Sequence, residues 1–174
     1  NIYQVFSSSI DELGSTIMHS LLQELTTLAE LAADIMDRNL YERANDCRWW
    51  ALSPALQSTL AGAADPAADA RLAAVLEHIN GLYTVYARLV AFDAQGTVRA
   101  ASREDGTRPL VGTRVPPEIL AAVQGLSDTQ RYAVTPFAVN ALTAGQPAYV
   151  YLAAVRAPQS GALAGGVAIV FNTV

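Results

Sequence analysis

Five short apolar segments, Leu82–Asp93, Gly96–Ser102, Tyr132–Phe137, Pro147–Arg156 and Ala164–Asn172, crowd the second half of this chain, after a first half patterned for helix. The segments are rich in β-branched, aromatic and apolar residues, as strands are. Gly145-Gln-Pro147 and Ser160-Gly161 punctuate the last three. Connections that short cannot carry helical crossovers, so the sheet is expected to be antiparallel. Asp93-Ala-Gln-Gly96 supplies turn chemistry between the first two segments and predicts a hairpin. A polar loop is expected from Arg103 to Thr113. Pro116-Pro117 then opens a short helix over Glu118–Gln124, with Gly125 as its stop.

The first half is read from its spacing. Met18, Leu21, Leu25, Leu28, Ala32 and Ile35 recur by threes and fours, which builds one apolar stripe along a helix expected from about Ser9 to Leu40. Such a helix is longer than a covering helix needs to be. Its stripe is assigned either to one face of the sheet or to the seam of a homodimer. The charged stretch from Asp37 to Leu52, which holds both tryptophans, breaks that heptad. Ser53-Pro54 and Asp65-Pro66 each read as an N-cap followed by proline at the first helical position. They predict a short helix closed by Gly62, then a third helix ending near Gly81, whose Leu72, Val75, Leu76 and Ile79 share a face. The fold class is therefore α+β: a long N-terminal helix and further helices packed on a five-stranded antiparallel sheet. The length suits a single domain with a helical segment over 1–81 and a sheet segment over 82–174.

Composition excludes several functions. Apolar residues make up 52% of the chain and charged ones 16%, enough to build a core rather than a disordered chain. The net charge is −5, and the eleven basic residues are all arginine, scattered from Arg38 to Arg156. A nucleic acid or an anionic lipid surface needs clustered cations, so neither is expected as a partner. Cys47 is alone, which excludes a disulfide or a cysteine zinc cluster within the chain and reads as a small buried packing residue. No apolar run approaches the about 20 residues that span a bilayer. The chain starts at Asn1 without a signal-like segment, and its last strand runs apolar almost to the end. A processed piece with a module downstream is expected on those grounds.

In order and spacing, the helix-rich start, Val90-Ala-Phe-Asp93-Ala-Gln-Gly96, the strand Val98–Ser102, Leu110-Val-Gly112, the short helix and Gly165-Gly-Val-Ala-Ile-Val-Phe171 resemble a single Cache-type sensor domain. This is the PAS-like module of bacterial chemoreceptors, histidine kinases and diguanylate cyclases; PAS and GAF domains are the competing resemblances. The resemblance covers about Leu82–Asn172. It implies a small-molecule pocket between the sheet and the loop-helix segment, with ligand state passed along terminal helices to an output domain. It also implies an extracytoplasmic position in a membrane receptor, with a cytoplasmic sensor module as the alternative.

A pocket of this kind is apolar with a few polar groups that orient the ligand. The candidates are Tyr86, Arg88, Arg131, Tyr132, Tyr149 and Tyr151. Arg88 interrupts an apolar strand, where its guanidinium either lies on a solvated outer face or needs a carboxylate from the chain or from a ligand. Strand alternation sets Tyr86 and Arg88 on one face, and Tyr149 and Tyr151 together on theirs. Arg131 and Tyr132 enter the third strand, a region that lines the pocket in the family resembled. Arg48-Trp49-Trp50 reads as helix packing. Enzymatic signals are thin: His19 and His78 lack partners at metal-ligand spacing, and no nucleophile elbow or phosphate loop is present. No cofactor is expected, because His19, His78 and Cys47 all lie in the helical half. The expected function is a sensor domain, not an enzyme, that binds a small organic molecule, an organic acid being the leading candidate, and forms a homodimer through its N-terminal helix. A ligand-free dimerisation module is the alternative.

Overall fold

The computed structural model describes residues 1–104 and 109–172; the middle of the polar loop expected at 103–113 lies outside them. The chain forms two compact units, Asn1–Glu42 and Arg43–Val174, and the boundary falls within helix α1, Ile2–Ala51. The charged stretch after Asp37 therefore does not end the helix. Ala44, Cys47 and Ala51, spaced along one helical face, are buried there, so the helix runs on past the charged stretch into the core of the second unit. In the first unit every residue is exposed, including Leu21, Leu25, Leu28 and Ile35 of the predicted stripe.

The second unit is α+β. α2 (Pro54–Ala61) and α3 (Pro66–Leu82) begin at the two Ser/Asp-Pro signals. Asp65 caps α3 by accepting the backbone N–H of Ala67, whereas the Ser53 side chain makes no cap bond and α2 rests on proline's preset backbone alone. The strands are β1 (Tyr86–Asp93), β2 (Val98–Ala101), β3 (Ala133–Val134), β4 (Val150–Arg156) and β5 (Leu163–Phe171), with α4 (Pro117–Gln124) between β2 and β3. They form one antiparallel sheet in the order β2-β1-β5-β4-β3. At the β1–β2 turn, Asp93 Oδ1 accepts the N–H groups of Gln95 and Thr97, and Gly96 adopts φ 84°.

Both faces of the sheet are covered. Leu89, Ala91, Tyr151, Ala153, Val167 and Ile169 pack against the end of α1, α2 and α3. Val90, Phe92, Leu152, Ala154, Ala168 and Val170 pack against α4 and the loops on the opposite side. This double burial explains why the strands read as continuous apolar runs and not as alternating ones. β5 lies centrally because Gly165-Gly166 lets it approach β1, and the Phe92 ring occupies the space a side chain at 166 would take.

Three polar links tie helices to strands. Asn80 at the end of α3 donates to the Tyr86 carbonyl at 2.8 Å and accepts from Ser102 Oγ at 2.6 Å, and Ser102 Oγ in turn accepts the Leu89 N–H. Arg99 of β2 clasps Asp69 of α3. Asp69, in the first turn of α3, is thus the partner of a buried cation. Cys47 is fully buried as expected, and burial pushes its thiol pKa well above the ordinary value. Ellman's reagent should leave the folded protein unmodified and titrate one thiol per chain in denaturant; rapid reaction under native conditions would contradict this packing.

Candidate functional site

The six residues singled out from sequence fall in four places. A β-bulge between Tyr86 and Arg88 breaks the alternation of β1: Tyr86 pairs with Phe171 and Arg88 with Val170. The two side chains therefore lie on opposite faces of the sheet, which corrects the expectation that they share one. Tyr86 belongs to the helix-covered face, where its hydroxyl donates to Asp46 Oδ2 at 2.7 Å and accepts from Trp50 Nε1 at 3.3 Å. Arg88, 8% exposed, donates from Nη2 to the Arg103 carbonyl at 2.9 Å. That backbone oxygen is the bond partner described for this guanidinium, where a carboxylate was expected.

Tyr151 joins Tyr86 through Phe171. The Phe171 ring meets both tyrosines edge-on at 5.4 and 5.1 Å, and the Arg43 guanidinium sits 4.8 Å from its centroid. Tyr132, half exposed, stacks on Tyr151, and Trp50 reaches the cluster through Tyr83. Trp50 thus packs as expected, while its neighbour Trp49 stays 74% exposed. Tyr149 lies beside Phe137 just before β4, half exposed. Arg131 is 68% exposed and pairs loosely with Asp128 at 3.5 Å. The Gln130 N–H, aided by Ser127 and Arg131, holds the Asp128 carboxyl below its usual pKa.

Burial, reinforced by the bond to Asp46, raises the Tyr86 pKa above its ordinary 10.0. Its protonated form is favoured by folding, so this contribution is complete below about pH 10 and is lost as pH rises beyond it. Alkaline denaturation should therefore be shallower in Tyr86→Phe, whose stability at neutral pH should fall by about 1–2 kcal/mol. Equal pH slopes in the two proteins would show that the hydroxyl carries no such linkage.

The opposite face holds a cavity of 310 Å³ between α4, β3, Leu152 of β4 and the segment after β3. Ile119, Ala122, Val134, Val139 and Leu152 supply its apolar wall, and Glu118, Thr135 and Asn140 its polar groups. The β3–β4 connection is held in place. Thr135 Oγ1 accepts the Val150 N–H at 3.1 Å, Asn140 Oδ1 accepts the Leu142 N–H at 2.9 Å, and the Leu142 side chain is buried in the core below. None of the six sequence candidates lines this cavity. Glu118 stands in the helix expected at Glu118–Gln124 and gave no ligand signal there, while Thr135 fell within the strand expected to run to Phe137, which ends at Val134, and Asn140 within the connection after it. The length of that connection was the available signal, since hairpin loops are usually two to five residues. A second depression, of 530 Å³, borders the Asp93 turn and includes Arg99, but that guanidinium is already committed to Asp69. Among the described residues no group of three or more metal-ligating side chains converges.

No described protein family matches this sequence, and no curated protein does. Solved structures do match. The sensor domain of the histidine kinase DctB from V. cholerae superimposes with a TM-score of 0.68 at 19% identity, over 88% of this chain and 56% of that one. This chain has the fold of that domain. The ligand-binding domain of the Pseudomonas fluorescens chemoreceptor CtaA, in complex with L-alanine, shares this sensor fold at TM-score 0.54 and 20% identity, over 85% of this chain and 58% of that one. A sensory box/GGDEF family domain from Vibrio parahaemolyticus does so at 0.55 and 13%, over 79% and 53%. The chain spans little more than half the length of the structures it matches.

Proposed function

We propose that this chain is the sensor domain of a bacterial signalling receptor, and that a small organic molecule binds in the cavity between α4 and the sheet. The observation that carries this reading is an apolar cavity with three polar groups in a fold shared with sensor domains, on the sheet face where the sequence resemblance implied a pocket. Binding acts on signalling only through different affinity for two packings of the protein. The Phe171 cluster, which joins the end of β5 to Arg43 of α1 and to Tyr86, is the route by which such packings reach the helix. The role in this reading is binding, and the position implied by the sequence resemblance is extracytoplasmic, with a cytoplasmic sensor module as the alternative. The expectation of an organic acid rested on Arg88, whose side chain does not line the cavity, and neither does that of Arg131.

The test is a thermal-shift screen against amines, amino acids, organic acids, purines and polyols, with Ala122→Trp as a cavity-filling variant. A ligand at a hundred times its Kd should stabilise the wild type by about 2.7 kcal/mol. The shift should vanish in Ala122→Trp and persist in Arg88→Ala and Arg131→Ala. Loss of the shift in either arginine variant, with Ala122→Trp unaffected, would put the ligand elsewhere.

The exposed apolar row of residues 1–42 favours a second role, homodimer formation through α1. Sedimentation should show a dimer that Leu21→Glu/Leu28→Glu dissociates; a monomer at high concentration would rule it out. A ligand-free dimer with no thermal shift in the screen would leave dimerisation as the function.

A further inference from the structure

Building on the assignment of the α4 cavity as the ligand site, we infer that its ligand is an organic amine whose remaining polar group is uncharged, rather than an organic acid. Among the described residues that line the cavity, Glu118 is the sole charged side chain, and no arginine or histidine reaches it. A carboxylate entering this space would lose water, meet no cation and approach another carboxylate. Nearby guanidinium groups are engaged elsewhere. Arg88 donates to the Arg103 carbonyl, Arg131 pairs with Asp128, and Arg156 donates to the carbonyls of Leu126 and Gly161. The net charge of −5 adds a weak bias in the same direction.

The neutral polar groups define the other end of the ligand. Asn140 Oδ1 already accepts from Leu142 N–H, and Thr135 Oγ1 from Val150 N–H. Each side chain keeps its donor free, the amide NH2 and the hydroxyl hydrogen, beside one remaining lone pair on its oxygen. A ligand that uses these groups presents an ammonium to Glu118, an uncharged oxygen to the free donors of Thr135 and Asn140, and a short apolar body to Ile119, Ala122 and Leu152. Amino alcohols and amino-acid amides have this pattern. Glu118 is solvent-exposed at the rim, so its charge selects among ligands and the apolar wall supplies much of the affinity.

Titration calorimetry of the full chain with L-isoleucinamide, 2-amino-1-butanol, L-isoleucine and succinate tests this. The amide and the amino alcohol should bind, the free amino acid should bind about tenfold or more weakly than its amide, and succinate should show no heat. Glu118→Gln should weaken the amine ligands about fivefold while keeping the fold. Ala122→Trp should abolish binding, with Val139→Trp as the alternative filling variant should the first not fold. Succinate or isoleucine binding more tightly than the amines, and lost in the filled variants, would overturn the amine assignment and leave the cavity as the site. Amine binding that survives both filled variants, or no binding by any of the four together with an empty thermal-shift screen, would overturn the cavity reading and the inference with it.

Discussion

Gly165→Ala is expected to lower the unfolding free energy by about 3 kcal/mol, the upper end of what overpacking a well-filled interior costs. Gly165 pairs with Asp93 on one side and Val155 on the other, in the strand at the centre of the sheet. A methyl group there would overlap the Phe92 carbonyl oxygen and lie 2.9 Å from the Asp93 Cα. Both obstacles are backbone, so no rotamer change can relieve them. Gly166→Ala meets the Phe92 ring and a methyl of Val123 instead, which are side chains, and should cost less. Urea denaturation of the two variants measures the difference. A loss below about 1 kcal/mol for Gly165→Ala would mean that β1 and β5 are not packed as closely as described.

Asp69→Ala should cost about 3 kcal/mol for a different reason. It removes the partner of Arg99, which is 6% exposed and directs Nε and Nη2 at the Asp69 carboxylate, with a further bond from Nη2 to the Ala63 carbonyl. The loss comes chiefly from leaving a guanidinium buried without its counter-charge, not from the worth of the pair itself. The double variant Asp69→Leu/Arg99→Met should accordingly recover to within about 1 kcal/mol of the wild type. A double variant as unstable as the single one would show that the pair holds α3 to β2 by a net attraction. The comparison belongs in one denaturation series at a single neutral pH.

The elements that sequence reasoning placed well are those with local chemistry. Pro54, Pro66 and Pro117 each stand at the first position of a helix, Asp93-x-x-Gly96 makes its turn, and the short connections give the antiparallel sheet. What escaped depends on contacts remote in sequence. The end of α1 was expected near Leu40 because the charged stretch from Asp37 breaks the heptad, whereas Arg43 of that stretch covers Phe171 and Asp46 accepts from Tyr86. The faces of β1 were misjudged because one bulged residue inverts the alternation and leaves no mark in the sequence around Val85-Tyr-Ala-Arg88. Arg88 and the tyrosines drew attention as residue types suited to ligands. The cavity residues Thr135 and Asn140 were overlooked, the first inside the expected strand Tyr132–Phe137 and the second in the connection after it, although they line the space between the sheet and α4.

The strand order also governs how the molecule comes into being. β5 lies between β1 and β4, yet it is the last described strand to be synthesised. Until residues 163–171 leave the ribosome, the β1–β2 hairpin and the β4–β3 pair have no strand to join them, and each presents a bare apolar edge. Closing the sheet then requires β1 to find a partner whose pairing joins Tyr86 to Phe171, a loop whose entropy must be lost before any contact is gained. Assembly is therefore a late, concerted event, and the nascent chain passes through a period in which its exposed edges are open to the wrong partner.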